Sequence, residues 1–278
     1  MAAPQRGLLL DDAADRLRSD AVLWRRCRGL AGPRCGQGQR ASSRRWPMQS
    51  TRGGLPMIKL RALQDEVQAC RRCAHGSTRT QIVFAKGDPL STLCFVGEAP
   101  GEEEDAQGIP FVGDSGKLLD KQVAAMREYA AAQGIAFPAD PYVCNVLKCR
   151  PPGNKLLHNG SDIETCRSHL WRQLRELPNL RVLVALGKTA AIALMGLSEE
   201  SIPRASAVTM AWLREHAHAD PVGALPLSGR GQPTSWPLLE RGVRVYPTYH
   251  PAYLLRQFGD ASTVAVWADL KLAVEALR

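Results

Sequence analysis

Residues 97–120 read GEAPGEEEDAQGIPFVGDSGKLLD and follow an apolar run at 93–96. An amphipathic pattern comes next, so this stretch predicts a strand, a glycine-rich loop and a helix. Loops of this kind usually bind phosphate at the N-terminus of the helix. This loop carries five carboxylates that would repel a phosphate, which are Glu98, Glu102, Glu103, Glu104 and Asp105. Its sequence therefore predicts a different ligand.

Strands and helices alternate along the chain after Met57. Apolar runs predict strands at 80–85, 92–97, 142–149, 181–186 and 243–250. Helical periodicity predicts helices at 58–69, 117–133, 161–177, 187–195 and 263–277. Ser115 and Ser161 are the expected N-caps, the second with Glu164 at capping-box spacing. The alternation is typical of a parallel sheet that is covered by helices on both faces.

Polar groups and glycines follow several of the predicted strands. Ligands of open α/β sheets bind at the carboxyl ends of the strands. The residues at those ends are Gly97, Glu98, Asn145, Gly187 and His250. We therefore expect an acidic loop, an amide and an imidazole to face one crevice.

Positive charge is concentrated in the first fifth of the chain. The 278 residues suffice for one sizeable domain, and their formal net charge is +9. Residues 1–56 contain 11 Arg and 4 Asp, a net charge of +7, so the rest of the chain is nearly balanced. No stretch approaches the roughly 18 uninterrupted apolar residues of a membrane span. We expect no association with a membrane.

Two segments fall outside the regular pattern. Residues 1–56 are rich in Arg, Gly and Ser and are expected to be a disordered extension of a domain at 57–278. They have three interpretations: a basic arm that contacts nucleic acid, an organelle transit peptide, which the early aspartates disfavour, or a non-native start upstream of Met57. Residues 198–242 contain five prolines and predict a long, mobile insertion.

The chain has eight cysteines and no evident secretory signal, which indicates a reducing compartment. Cys70 and Cys73 form a CxxC pair, and Cys149 and Cys166 supply a second pair. Four cysteines hold zinc or an iron–sulfur cluster, and the spacing does not choose between them. A redox CxxC would open a helix after a strand, whereas this one ends a helix. Cys94 and Cys144 lie within apolar strands and are expected to be inert core residues.

Three segments occur in a diagnostic order: GEAPGEEEDAQGIPFVG (97–113), NVLKCRPPGN (145–154) and YHPAYLLR (249–256). They resemble the family 4 uracil-DNA glycosylases, the iron–sulfur branch of that superfamily. The resemblance covers residues 60–196 and 243–278. It implies a single α/β domain with a central, mainly parallel four-stranded sheet flanked by helices. It also implies a [4Fe–4S] cluster with a structural role, on Cys70, Cys73, Cys149 and Cys166.

The resemblance further implies an activity. A monofunctional enzyme of this family flips uracil out of DNA, hydrolyses the N-glycosidic bond and leaves an abasic site. The implied uracil-binding residues are Gly97, Glu98, Phe111, Asn145 and His250. Phe111 would stack on the ring, Asn145 would pair with the imide N–H and the 4-carbonyl, and His250 would donate to the 2-carbonyl. We expect a monomer that acts on uracil-containing DNA at the nucleoid, in a bacterial cytoplasm.

The acidic loop is consistent with this chemistry, because the sugar becomes cationic in an oxocarbenium-like transition state. Related glycosylases outside this family place an acidic residue two positions after the first glycine, where this chain has Ala99. Glu98 and Glu104 are therefore the candidates for the carboxylate that orients water or stabilises the cation. The other three carboxylates, Glu102, Glu103 and Asp105, have a purely structural interpretation as a solvated cluster at the start of a helix.

A DNA substrate requires phosphate contacts. The expected contacts are Lys148, Arg150 and Arg256, with Tyr253 or Leu254 filling the gap left by the flipped nucleotide. Other basic residues that could contact phosphate are Arg71, Arg72, Arg79 and Lys155. Two rival functions remain open: a catalytically inactive iron–sulfur or zinc DNA-binding relative, and a zinc protein of similar fold that acts on another base.

Overall fold

The computed structural model describes residues 54–156, 160–195, 210–214, 241–256 and 260–278. Residues 1–53 of the predicted N-terminal extension lie outside the described residues. Most of the predicted insertion at 198–242 also lies outside them, except for a helical segment at 210–214 and the turn at 241–242. Within the described ranges, no helix is long and apolar enough to span a membrane.

The centre of the fold is a four-stranded parallel sheet in the order β2-β1-β3-β4. Its strands are β1 (Leu93–Gly97), β2 (Tyr142–Asn145), β3 (Val182–Leu186) and β4 (Arg244–Thr248). Every strand residue except Arg244 is buried. Burial on both faces explains why these strands are continuous apolar runs. The predicted α/β fold with four parallel strands is confirmed.

Helices cover the sheet. They are α1 (Gly54–Gln68), α2 (His75–Thr78), α3 (Glu102–Gln107), α4 (Asp114–Ala132), α5 (Ser161–Arg175), α6 (Lys188–Met195), α7 (Pro251–Arg256) and α8 (Asp260–Glu275). Helix α4 packs on α7 and α8, and their apolar residues join alternate strand residues such as Leu93 and Phe95 in one core. Helix α6 packs on β1, β3 and β4, with α5 and then α1 beyond it.

The predicted strand at 80–85 is wrong. The amides of Thr80 and Gln81 bond to the carboxylate of Asp105 instead of a neighbouring strand. Val83 donates to the carbonyl of Lys148, which lies beyond the end of β2. The residue that follows the segment, Lys86, forms an isolated antiparallel bridge with Val143. The carboxylate of Asp105 therefore accepts backbone amides that would pair with a neighbouring strand if the segment were in the sheet. Local sequence does not reveal this contact, because Asp105 is about 25 residues away.

Several predicted element ends also shift. The N-caps of α4 and α5 are Gly113 and Gly160, neither with a side-chain cap, so the predicted serine caps are wrong. Strand β2 ends at Asn145, and the next two amides donate to the carbonyls of Gly97 and Glu98. The chain thus turns across the end of β1.

The strand order creates a crevice at one edge of the sheet. From β1 the chain continues to β2 on one side, whereas β3 and β4 lie on the other side. Such a switch point opens a crevice at the carboxyl ends of the two central strands. Gly97 ends β1 and Gly187 directly follows β3, so both glycines border this crevice.

Candidate active site

Gly97 allows three groups to meet at the end of β1. It pairs in register with Asn145 on β2, and its carbonyl accepts the amide of Val146 at 2.9 Å. A Cβ atom on Gly97 would lie 2.5 Å from Cζ of Phe111 and would overlap Oδ1 of Asn145. Only glycine lets the aromatic ring and the amide approach the backbone this closely.

Asn145 has the strongest signature of a ligand-binding group. Its side chain is 2% exposed, and Oδ1 has no hydrogen-bond partner among the residues that the structure describes. A buried acceptor without a donor is costly, and native proteins contain few of them. We infer that this oxygen accepts a hydrogen bond from a ligand.

Phe111 lies against the same space. It is 5% exposed, and its ring centroid is 5.8 Å from that of His250, with 29° between the planes. Its backbone has a φ of 55°, which is rare for a residue with a bulky side chain. Strained backbone of this type tends to occur at functional sites.

His250 is held in one tautomer. It precedes α7, and its Nδ1 accepts the amide hydrogen of Ala252 at 3.1 Å, which is an N-cap bond. The ring must then carry its proton on Nε2 and is a neutral donor. The pKa of His250 is lowered to about 4, chiefly by burial and also by the charge of Arg256, while Glu104 acts in the opposite direction.

The two candidate carboxylates have different environments. Glu98 is partly exposed and accepts the hydroxyl of Thr189 on Oε2 at 2.6 Å, while within the described residues its Oε1 has no hydrogen bond. Glu104 is 7% exposed and accepts three backbone amides, from Gly101, Val112 and Gly113, each at 3.0 Å. Glu104 thus connects the two ends of the acidic loop, and Glu98 has an oxygen available for water.

The remaining carboxylates are not a uniform solvated cluster. Glu102 and Glu103 are exposed in the first turn of α3, as expected for that interpretation. Asp105 is only 4% exposed and accepts the amide of Thr80 at 3.0 Å. For Asp105 the solvated interpretation is wrong, since its carboxylate holds the segment that follows the CxxC pair.

The four cysteines of the two pairs line one common cavity, with Arg79, Lys148 and His169 in the same wall. All four are free thiols. Among the described residues, no three His, Cys, Asp or Glu side chains converge on a position for a single ion.

Basic groups surround these sulfur atoms. Arg79 donates to Sγ of Cys149 at 3.5 Å, and Nε2 of His169 lies 3.5 Å from Sγ of Cys70. Without a metal, burial raises the pKa of Cys166 to about 11. Cys149 and Cys166 are buried, and Cys70 and Cys73 are partly exposed. Four thiolates this close together would need a positively charged partner, and this donor set fits an iron–sulfur cluster.

Two of the predicted DNA contacts are wrong. Lys148 is 1% exposed, and its Nζ donates to the carbonyl of Asn145 at 2.7 Å and to Oε1 of Gln173 at 2.5 Å. Leu254 is 6% exposed and packs into the core with α4 and α8.

Other predicted contacts lie at the surface. Tyr253 is partly exposed and stacks on Tyr249 with a centroid distance of 5.0 Å. Arg256 is exposed at the end of α7. Arg150 is partly exposed and pairs with Glu102 at 3.2 Å. Sequence reasoning missed Thr189 as the partner of Glu98, although it stands two residues after Gly187 at a strand end.

Comparison with known proteins shows the family of this chain. Residues 84–271 match the family model described as the uracil DNA glycosylase superfamily, and the chain belongs to that superfamily. It is 33% identical to the type-4 uracil-DNA glycosylase of Thermotoga maritima over 211 aligned residues. The aligned region covers 76% of this chain and 91% of that protein. The type-4 uracil-DNA glycosylase of Sulfurisphaera tokodaii is 31% identical over 199 residues, or 72% and 77% of the two chains.

A third relative matches a shorter region more closely. The type-4 uracil-DNA glycosylase of Archaeoglobus fulgidus is 42% identical over 127 residues, which cover 45% of this chain and 58% of that protein. The predicted resemblance to family 4 is therefore confirmed.

Proposed function

We propose that this protein is a DNA-repair glycosylase that flips uracil out of DNA and hydrolyses its N-glycosidic bond. The observation that carries the proposal is the buried amide of Asn145, whose Oδ1 has no partner in the described chain. This oxygen and the ring of Phe111 both lie against Gly97, and Phe111 in turn stacks on His250. One planar base can contact an amide, an aromatic ring and an imidazole only where such groups converge.

Asn145 supplies base selection. Its Oδ1 accepts the imide N–H of uracil, and its Nδ2 donates to the neighbouring 4-carbonyl. Cytosine presents an acceptor and a donor in the reverse order, so it mismatches both atoms of the oriented amide. Phe111 stacks on the ring, an interaction worth about 1–3 kcal/mol per base.

His250 stabilises the leaving base. When the bond between the anomeric carbon and the base breaks, its electron pair moves onto uracil and spreads to the 2-carbonyl oxygen. The neutral imidazole donates its Nε2–H to that oxygen and keeps the proton. A low pKa suits this task because the ring is neutral at the working pH.

Glu98 acts on the sugar side. Its free oxygen orients a water molecule, and it takes the proton as that water attacks the cationic anomeric carbon. The hydroxyl of Thr189 fixes the other carboxylate oxygen. Glu104 shapes the loop through its three amide bonds and adds fixed negative charge near the sugar.

We also propose that Cys70, Cys73, Cys149 and Cys166 hold a [4Fe–4S] cluster. The cluster would supply covalent bracing and no electrons, because hydrolysis of the glycosidic bond involves no redox change. Cys149 stands four residues after Asn145, and Lys148 between them donates to the Asn145 carbonyl. A cluster bound to Cys149 would therefore stabilise the position of Asn145, the residue that selects the base.

Replacing Cys166 with alanine is expected to remove most of the bound iron, because three thiolates hold a four-cysteine cluster poorly. The measurement is iron per chain, together with absorbance near 400 nm, in protein purified without oxygen. Cys94→Ala is the matched control, because Cys94 is buried within β1, away from the cavity. Stoichiometric zinc and no visible absorbance in the wild type would contradict the cluster.

The DNA partner would contact the surface beside His250. Arg256 and Arg150 would contact phosphates, and Tyr253 would face the gap left by the extruded nucleotide. Such a substrate implies a site of action with the chromosome, in the bacterial cytoplasm, and we propose that the enzyme works as a monomer.

The test of this function is incubation of the purified protein with an end-labelled oligonucleotide that contains one uracil, followed by alkali. We expect a strand break at the uracil position and none in matched oligonucleotides with thymine or cytosine there. Binding of the uracil oligonucleotide without cleavage would favour the inactive relative. Cleavage at thymine or cytosine would contradict the proposed role of Asn145.

The protonation state of His250 can be measured directly. With a pKa near 4 in the folded protein, below the ordinary value of about 6.5, the ring is expected to stay neutral from pH 8 down to about pH 5. Nitrogen chemical shifts of the ring in ¹⁵N-labelled protein should show the Nε2–H tautomer throughout, with His250→Asn used for assignment. Titration between pH 6 and 7 would contradict this state.

A further inference from the structure

We propose that Lys86 is a positioning residue that holds Phe111 in its stacking orientation beside Asn145. This inference rests on the proposed uracil site and extends it to a residue that touches no substrate. The direct observation is a hydrogen bond of 2.9 Å from Nζ of Lys86 to the backbone carbonyl of Phe111.

The backbone of Phe111 needs such support. Its φ of 55° lies in the left-handed region, which residues with a Cβ rarely adopt. Surrounding structure must enforce a conformation of this kind. Gly116 in the first turn of α4 encloses the same carbonyl, since a Cβ there would overlap the carbonyl oxygen and lie 2.9 Å from Cα of Phe111. Lys86 is the polar partner of that oxygen.

The backbone of Lys86 is attached to the strand that carries Asn145. Its amide donates to the carbonyl of Val143 at 2.9 Å, and its carbonyl accepts the amide of Val143 at 2.9 Å. Val143 lies in β2, two residues before Asn145. Lys86 therefore connects the strand of the base-selecting amide to the residue that stacks on the base.

The side chain has no strong competing partner in the described structure. Lys86 is 29% exposed, and the carboxylate within reach, that of Asp120, is 3.9 Å away and 69% exposed. An exposed pair at this distance contributes little, so the Phe111 carbonyl is the main contact. Lys86→Met would keep the apolar stem and remove only the donor.

The experiment measures kcat/KM for uracil release with Lys86→Met, Phe111→Ala and the double variant. We expect Lys86→Met to lower kcat/KM about 10- to 100-fold, as for loss of a charged hydrogen bond. It should have no further effect in the Phe111→Ala background, because the two residues act as one unit. Lys117→Met is the matched control, since within the described residues Lys117 pairs with exposed Asp114 and should behave as wild type.

Equal losses in both backgrounds, or a Lys86→Met enzyme as active as Lys117→Met, would overturn the inference while leaving the proposed function intact. If the wild type releases no uracil, the proposed function fails instead. The backbone chemical shifts of Phe111 then still decide the positioning role, since Lys86→Met should move them away from left-handed values. Unchanged shifts would overturn it.

Discussion

Replacing Asn145 with alanine is expected to lower kcat/KM for uracil release by roughly 100- to 1,000-fold, the loss typical of one preorganised catalytic hydrogen-bonding group. Both bonds to the imide edge disappear, and the base is no longer held while the glycosidic bond breaks. The variant should fold, because Oδ1 of Asn145 has no partner among the described residues. The measurement is single-turnover cleavage of the uracil oligonucleotide.

Asn179→Ala is the matched control for this variant. Asn179 is exposed, and its side chain donates to the carbonyl of Leu90 in the part of the chain that the structure describes, so its loss should leave kcat/KM unchanged. Affinity for uracil-free DNA should be equal in wild type, Asn145→Ala and Asn179→Ala, since phosphate contacts supply it. An Asn145→Ala enzyme with wild-type cleavage would exclude this residue from base selection.

Replacing His250 with asparagine is expected to reduce kcat by about 100- to 1,000-fold with little loss of stability. Asparagine is a good N-cap, so it can still accept the amide hydrogen of Ala252 at the start of α7. Its shorter side chain cannot present a donor where Nε2–H lies. The measurements are single-turnover cleavage and thermal unfolding of the same samples.

His250→Ala separates the two roles of this residue. It removes both the donor and the N-cap, so it should lose the same activity as His250→Asn and in addition about 1 kcal/mol of stability. If His250→Asn cleaves as fast as the wild type, the imidazole does not stabilise the leaving base.

The sheet and the position of its crevice could be predicted from the sequence because both depend on local patterns. Buried parallel strands are apolar runs, and the residues that follow them must lie at one edge. Asn145 and His250 were predictable for this reason, and the structure brings Asn145 next to Phe111 and Phe111 next to His250.

The remaining features depend on contacts between residues distant in sequence. A buried lysine such as Lys148 is rare, and only the folded chain shows Gln173 accepting its bond from α5. The burial of Asp105 depends on the segment after the CxxC pair. Lys86 carries no local signal, because its importance comes from the carbonyl of a residue 25 positions away.

The most direct measurement is titration of ¹⁵N-labelled protein with free uracil, followed through the side-chain amide of Asn145 and the ring nitrogens of His250. We expect both signals to shift with the same midpoint, because one ring contacts both groups, while the side-chain amide of Asn179 stays unchanged. Shifts confined to only one of the two residues, or shifts with different midpoints, would show that no single base bridges them.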